Sequence, residues 1–111
     1  MQIYKFEYNQ FRNTVDVIEI EAEEKPKTYI FKESNHRLWE TRISKADMER
    51  LIFKYGYKMF SFSPDTNKFL RLIIEVKEKN IENLKRRIES TVEEKRKLQK
   101  LLNTSEMSDD E

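Results

Sequence analysis

The chain has no cysteine, one glycine, two prolines and one histidine in 111 residues. Lack of cysteine excludes disulfides, thiol nucleophiles and cysteine-ligated zinc or iron–sulfur centres. A single glycine excludes a glycine-rich phosphate loop, and the strand signature of the common RNA-recognition fold needs glycines as well. No apolar run reaches the ~18 residues that cross a bilayer. The opening MQIYKFEYNQF lacks the basic-then-apolar order of a secretory leader. A cytoplasmic protein without a membrane partner is expected. Net charge is scarce too: at +1, bulk electrostatics gives little pull toward a polyanion.

What the chain does have is charge of both signs, 39% of its residues, beside 12% aromatics. The aromatics are too many for a disordered chain, and the length suits one modest domain. Strands come first. In IYKFEY, Tyr4, Phe6 and Tyr8 alternate with Ile3, Lys5 and Glu7, the period of a β-strand. TVDVIEIEAEE puts Ile18, Ile20 and Ala22 on one face and Glu19, Glu21 and Glu23 on the other. Pro26 sets a turn, KTYIFKE reads as a third strand and RLWETRI as a fourth. A meander of antiparallel strands, one face packed and one face wet, is expected.

SKADMERLIFKYG then carries Met48, Leu51, Ile52 and Tyr55 at helical spacing. Ser44 is placed to cap, and Gly56 to end, a helix of about three turns. YKMFSF reads as a short aromatic strand. In SPDTNKF, Ser63 is the expected N-cap, Pro64 the first helical residue and Asp65 a first-turn acid. From there to Leu102 neither proline nor glycine interrupts, a helix of ~58 Å at 1.5 Å per residue. Ile74, Ile81, Ile88, Lys95 and Leu102 recur every seven residues, with Leu84, Thr91 and Leu98 three positions on in their heptads. This is a coiled-coil seam, isoleucine at a and leucine at d, broken by Lys77, Thr91 and Lys95. Phe69, Leu70, Ile73, Ile74 and Val76 spread wider than a seam, so the first turns are expected to pack on the sheet.

The fold class is thus α+β: a small antiparallel sheet, a short helix and a long C-terminal coiled-coil-forming helix. Residues 1–76 form the β-rich domain with the start of the long helix, 77–103 the projecting oligomerisation helix, and 104–111 a disordered acidic tail. Ile74, Ile81, Leu84, Ile88, Leu98 and Leu102 are the expected oligomerisation residues. A dimer is favoured, since this a/d pattern suits parallel two-stranded coils. Antiparallel pairing stays open, because it would bring residues 95–97 near Glu78 and Glu82.

Lys85, Arg86, Arg87, Arg96 and Lys97 are the candidate phosphate contacts. Between residues 63 and 105, eleven basic side chains face seven acidic ones. Glu82, Glu89, Glu93 and Glu94 are interspersed among the bases, and the seam runs through the basic run instead of following it as in a zipper protein. A solvated helix face accounts for these charges.

His36, in the polar turn SNHR, has no partner that sequence can place for base catalysis. Glu19, Glu21 and Glu23 stand ~6.6–6.8 Å apart along a strand, too far to converge on one cation. No metal or other cofactor and no catalysis are expected. The function expected is a non-catalytic homo-oligomeric protein-protein interaction protein, with itself and an unidentified protein as partners. By analogy, a small inhibitor or accessory factor encoded by a mobile element, of phage type, fits this size. The alternative is a nucleic-acid-binding module using the basic side of the long helix and exposed sheet aromatics.

Overall fold

The computed structural model describes residues 1–32 and 38–109. Six strands are followed by one helix: β1 Gln2–Asn9, β2 Thr14–Glu24, β3 Thr28–Phe31, β4 Arg42–Ser44, β5 Ile52–Phe53, β6 Tyr57–Ser61 and α1 Thr66–Asp109. All pairings are antiparallel, in the order β4-β3-β2-β1-β6-β5. The α+β class read from the sequence is the observed one. The chain divides into two units, Met1–Ile74 and the residues from Glu75 onward.

Strands β1 to β4 form the expected meander, and β6 adds to the free edge of β1. Asn9 turns the chain from β1 into β2, its side-chain oxygen accepting from the amides of Phe11 and Arg12 at 3.0 and 3.1 Å. Asn13 takes the left-handed φ of 54° there, which asparagine tolerates. Strand β2 pairs with β1 through Glu21 and with β3 from Ala22 onward, so it bends where it changes partner. That bend curls the sheet. In a flat sheet β3 and β6, three strand spacings apart, would lie about 14 Å from one another. Phe31 and Phe60 instead stack with ring centroids 5.7 Å apart.

The curl encloses the larger core, in which Ile3, Ile18, Ile20, Phe31, Ile43 and Phe60 meet. On the opposite face of β1 and β6, Phe6 and Met59 pack against Phe69 and Ile73 from the first turns of α1. Phe6 stacks on Phe69 at 5.6 Å. Strand β1 is therefore buried on both faces, and the one-wet-face expectation holds for β2 but not for β1. In β2, Ile18, Ile20 and Ala22 are buried and Glu19 and Glu23 exposed, as the alternation requires.

The expected helix between Ser44 and Gly56 is not formed. Only a single 3-10 turn, Lys45–Asp47, follows β4, and the Ser44 hydroxyl accepts from the Ala46 amide. The chain then breaks at Glu49, with φ of 63°. Tertiary bonds hold it there. The Glu49 amide donates to the Phe60 carbonyl at 2.8 Å. Its carboxylate accepts from Ser61 Oγ at 2.8 Å, the Phe62 amide at 2.9 Å and Lys68 Nζ at 2.6 Å. Burial alone would raise the Glu49 pKa, but these donors together hold it below the ordinary carboxylate value. A three-turn helix is marginal alone, and these bonds, with the burial of Met48, outweigh it. Gly56, at φ 130°, serves the β5–β6 hairpin instead of a helix end.

Three further boundaries move. Of RLWETRI, only Arg42 and Ile43 fall in the fourth strand, Arg42–Ser44; Trp39 and Glu40 lie outside it and Arg37 lies outside the described residues. Helix α1 starts at Thr66, not Pro64, and Asp65 takes the capping role, accepting from the Asn67 amide at 3.0 Å. Ser63 is still tied back to β6, its amide donating to Ser61 Oγ at 3.2 Å. At its far end α1 continues through Asp109, into the segment expected as an unstructured tail; Asp110 and Glu111 lie outside the described residues.

Candidate functional site

Helix α1 runs 44 residues without a break, about 66 Å. Its interruption-free sequence of good helix formers suffices for this. Beyond Ile74 its seam residues are uncovered. Ile81, Leu84, Ile88, Leu98 and Leu102 each leave between 52% and 62% of their surface in solvent, and Ile74 54%. Val92 and Leu101 beside them are also exposed. Phe69 and Ile73, one turn and more before Lys77, are buried under β1 and β6 as expected, whereas Ile74, expected to pack there with them, is exposed. The heptad spacing puts the exposed residues on one stripe.

The candidate phosphate contacts Lys85, Arg86, Arg87, Arg96 and Lys97 are all exposed. Two are engaged within the helix. Arg86 Nε stands 3.7 Å from Glu82 and Arg96 Nη1 3.2 Å from Glu93. Both are solvent-exposed pairs along the helix surface. Glu93 thus pairs with Arg96, three residues on.

The first unit holds a polar centre that the sequence reading missed. Lys5, 1% exposed, lies on the Ile3 face of β1 with its ammonium 5.9 Å from the ring centroid of Phe60. Its ammonium meets Glu7 at 2.6 Å and Glu40 at 2.7 Å, and the second Glu40 oxygen takes Lys58 at 2.6 Å. A charge so deep is tolerable only when paired and hydrogen-bonded. Burial raises the Glu40 pKa, but the hydrogen bonds from Lys5 and Lys58 prevail and lower it from 4.5 to about 2. Glu40 therefore stays ionised through the neutral range, with both oxygens committed to lysines. A carboxylate held ionised by two lysines is a poor proton donor near neutral pH.

These four charges line an open cleft of about 680 Å³ whose rim carries Trp39, 88% exposed, and Tyr55, 98% exposed. Among the strand aromatics, Phe6, Tyr29, Phe31 and Phe60 are core residues and are not the exposed sheet aromatics that the nucleic-acid alternative needs. A partial signal for this centre existed: Lys5 is in the period-two phase of Ile3, so burial of both faces of β1 carries it inward. Glu40 had none, since its approach depends on the loop before β4.

Of the strand carboxylates, Glu21 accepts from Gln2 Nε2 at 2.7 Å and Glu23 pairs with Lys25 at 3.2 Å. Among the described residues no group of carboxylates and histidines is arranged to hold a metal, and no helix is long and apolar enough to cross a membrane. His36 lies outside the described residues. No family model matches the chain, and no match is found among curated proteins or solved structures.

Proposed function

We propose that this is a non-catalytic interaction protein that self-associates through residues 77–103 of α1 and presents its sheet unit to a protein partner. One observation carries the reading: an apolar stripe at heptad spacing, from Ile81 to Leu102, more than half exposed on an unbroken helix. Burying each of these side chains is worth roughly 1.5–3 kcal/mol, enough collectively to offset the costs of association. A second copy brings the same stripe, and two stripes of isoleucine and leucine fit knobs into holes. Lys77 and Lys95 within the seam limit the affinity, because an ammonium on the seam must reach water.

Light scattering at ~100 µM, where a pairing of about −6 kcal/mol is populated, tests this. The expected mass is at least twice 13.6 kDa, and Ile81→Asp with Ile88→Asp lowers it. A monomer with intact helical circular dichroism overturns the proposal. Binding to a random DNA duplex below micromolar concentration at ~0.15 M salt, lost on Arg86→Glu with Arg87→Glu, replaces it with the nucleic-acid reading.

A further inference from the structure

Resting on the self-association reading, we propose that the second copy lies antiparallel, in the register that sets Ile81 against Leu98 and Ile88 against Thr91. Both the seam and the charges beside it select this arrangement. In a parallel in-register pair each layer faces its own copy, so Lys77 meets Lys77 and Lys95 meets Lys95. Two like charges would then share an apolar layer. Reversing one helix pairs each a position with a d position of the other. In the proposed register Lys95 lies against Leu84 and Lys77 against Leu102, each stem covering a leucine while its ammonium reaches solvent.

Flanking charges give the independent argument. Arg87 and Glu94 occupy successive g positions next to the stripe, both exposed. Among the described residues neither has an ion-pair partner in its own chain, whereas Arg86 and Arg96, farther round the helix, are paired. A parallel pair places g opposite e of the following heptad, which gives Arg87 with Val92 and Glu94 with Gln99. No ion pair results. An antiparallel pair places g opposite g, and the proposed register gives Arg87 with Glu94 twice, once on each side of the two-fold axis. Sliding by one heptad in one direction sets Arg87 against Arg87 and Lys77 against Lys95. Sliding in the other direction sets Glu94 against Glu94. Of these three registers, only the proposed one leaves no like charges facing.

The chain has no cysteine, so introduced thiols report on this geometry alone. Ile81→Cys and Leu98→Cys chains are mixed, oxidised gently and run without reductant. Cross-linked dimer is expected only in the mixture, and not from either variant by itself, because the two thiols come within disulfide reach only across an antiparallel layer. Self-cross-linking of Ile81→Cys alone overturns the direction but leaves self-association standing. A monomer by light scattering overturns self-association itself. A dimer that cross-links in neither sample overturns the register. Charge exchange supplies a second readout on surface residues that do not threaten the fold. Arg87→Glu is expected to weaken the dimer about three- to tenfold, the size of two exposed ion pairs, and adding Glu94→Arg to restore it. Failure of the double variant to recover also overturns the register.

Discussion

Replacing Glu40 by glutamine removes one charge from a centre in which Lys5 is almost wholly enclosed. In the native chain two carboxylates, at 2.6 and 2.7 Å, compensate the Lys5 ammonium. Breaking a buried pair outright costs about 3–5 kcal/mol. Here Glu7 remains, and the glutamine oxygen can still accept one hydrogen bond, so about 2 kcal/mol is expected. The pKa of Glu40 leads to a similar figure. Lowering it from 4.5 to about 2 corresponds to about 3 kcal/mol of linkage, which the solvent-facing fifth of the side chain screens to about 2. The sign follows from the depressed folded value: this stability is present above pH 4.5 and is lost as the pH falls toward 2. Urea denaturation followed by near- and far-UV circular dichroism measures both effects. Glu40→Gln should lower the midpoint at pH 7 and flatten the fall in stability between pH 4.5 and 2. Adding Lys5→Met should recover much of the loss, since it removes the stranded charge. If Glu40→Gln costs less than about 0.5 kcal/mol, in the range of an exposed pair, Lys5 is not held as described.

Phe6→Ala should cost about 3–5 kcal/mol, because Phe6 is fully buried and stacked on Phe69; thermal melts measure it. Glu49→Ala leaves buried Ser61 and the Phe62 amide without their acceptor and should cost about 2 kcal/mol, with faster hydrogen exchange at Phe62. Gly56→Ala meets no atom within 4 Å of the added carbon, so the expected loss, about 1–3 kcal/mol in a denaturant titration, arises from the φ of 130° alone. A dialysed sample should hold no stoichiometric zinc, iron or manganese by elemental analysis.

Local pattern determined much of this molecule. The alternation in β2, the Pro26 turn and the uninterrupted run to Leu102 each require only nearest neighbours along the chain. Their periods of two, of three and four, and of seven can be read without knowing what packs against them. The fold class and the exposed stripe with Ile81, Ile88 and Leu98 follow from them. Segments with more than one satisfactory conformation were decided elsewhere. Residues 44–56 have helical spacing, yet Glu49 finds Ser61, Phe62 and Lys68, distant in sequence, and these bonds outweigh a marginal helix. The same holds for Lys5, whose burial depends on the curl of β2 and on a carboxylate 35 residues away. Period and propensity are local quantities and were legible. The curl, the second buried face of β1 and the Glu40 centre are meetings of remote segments, which only the tertiary structure decides.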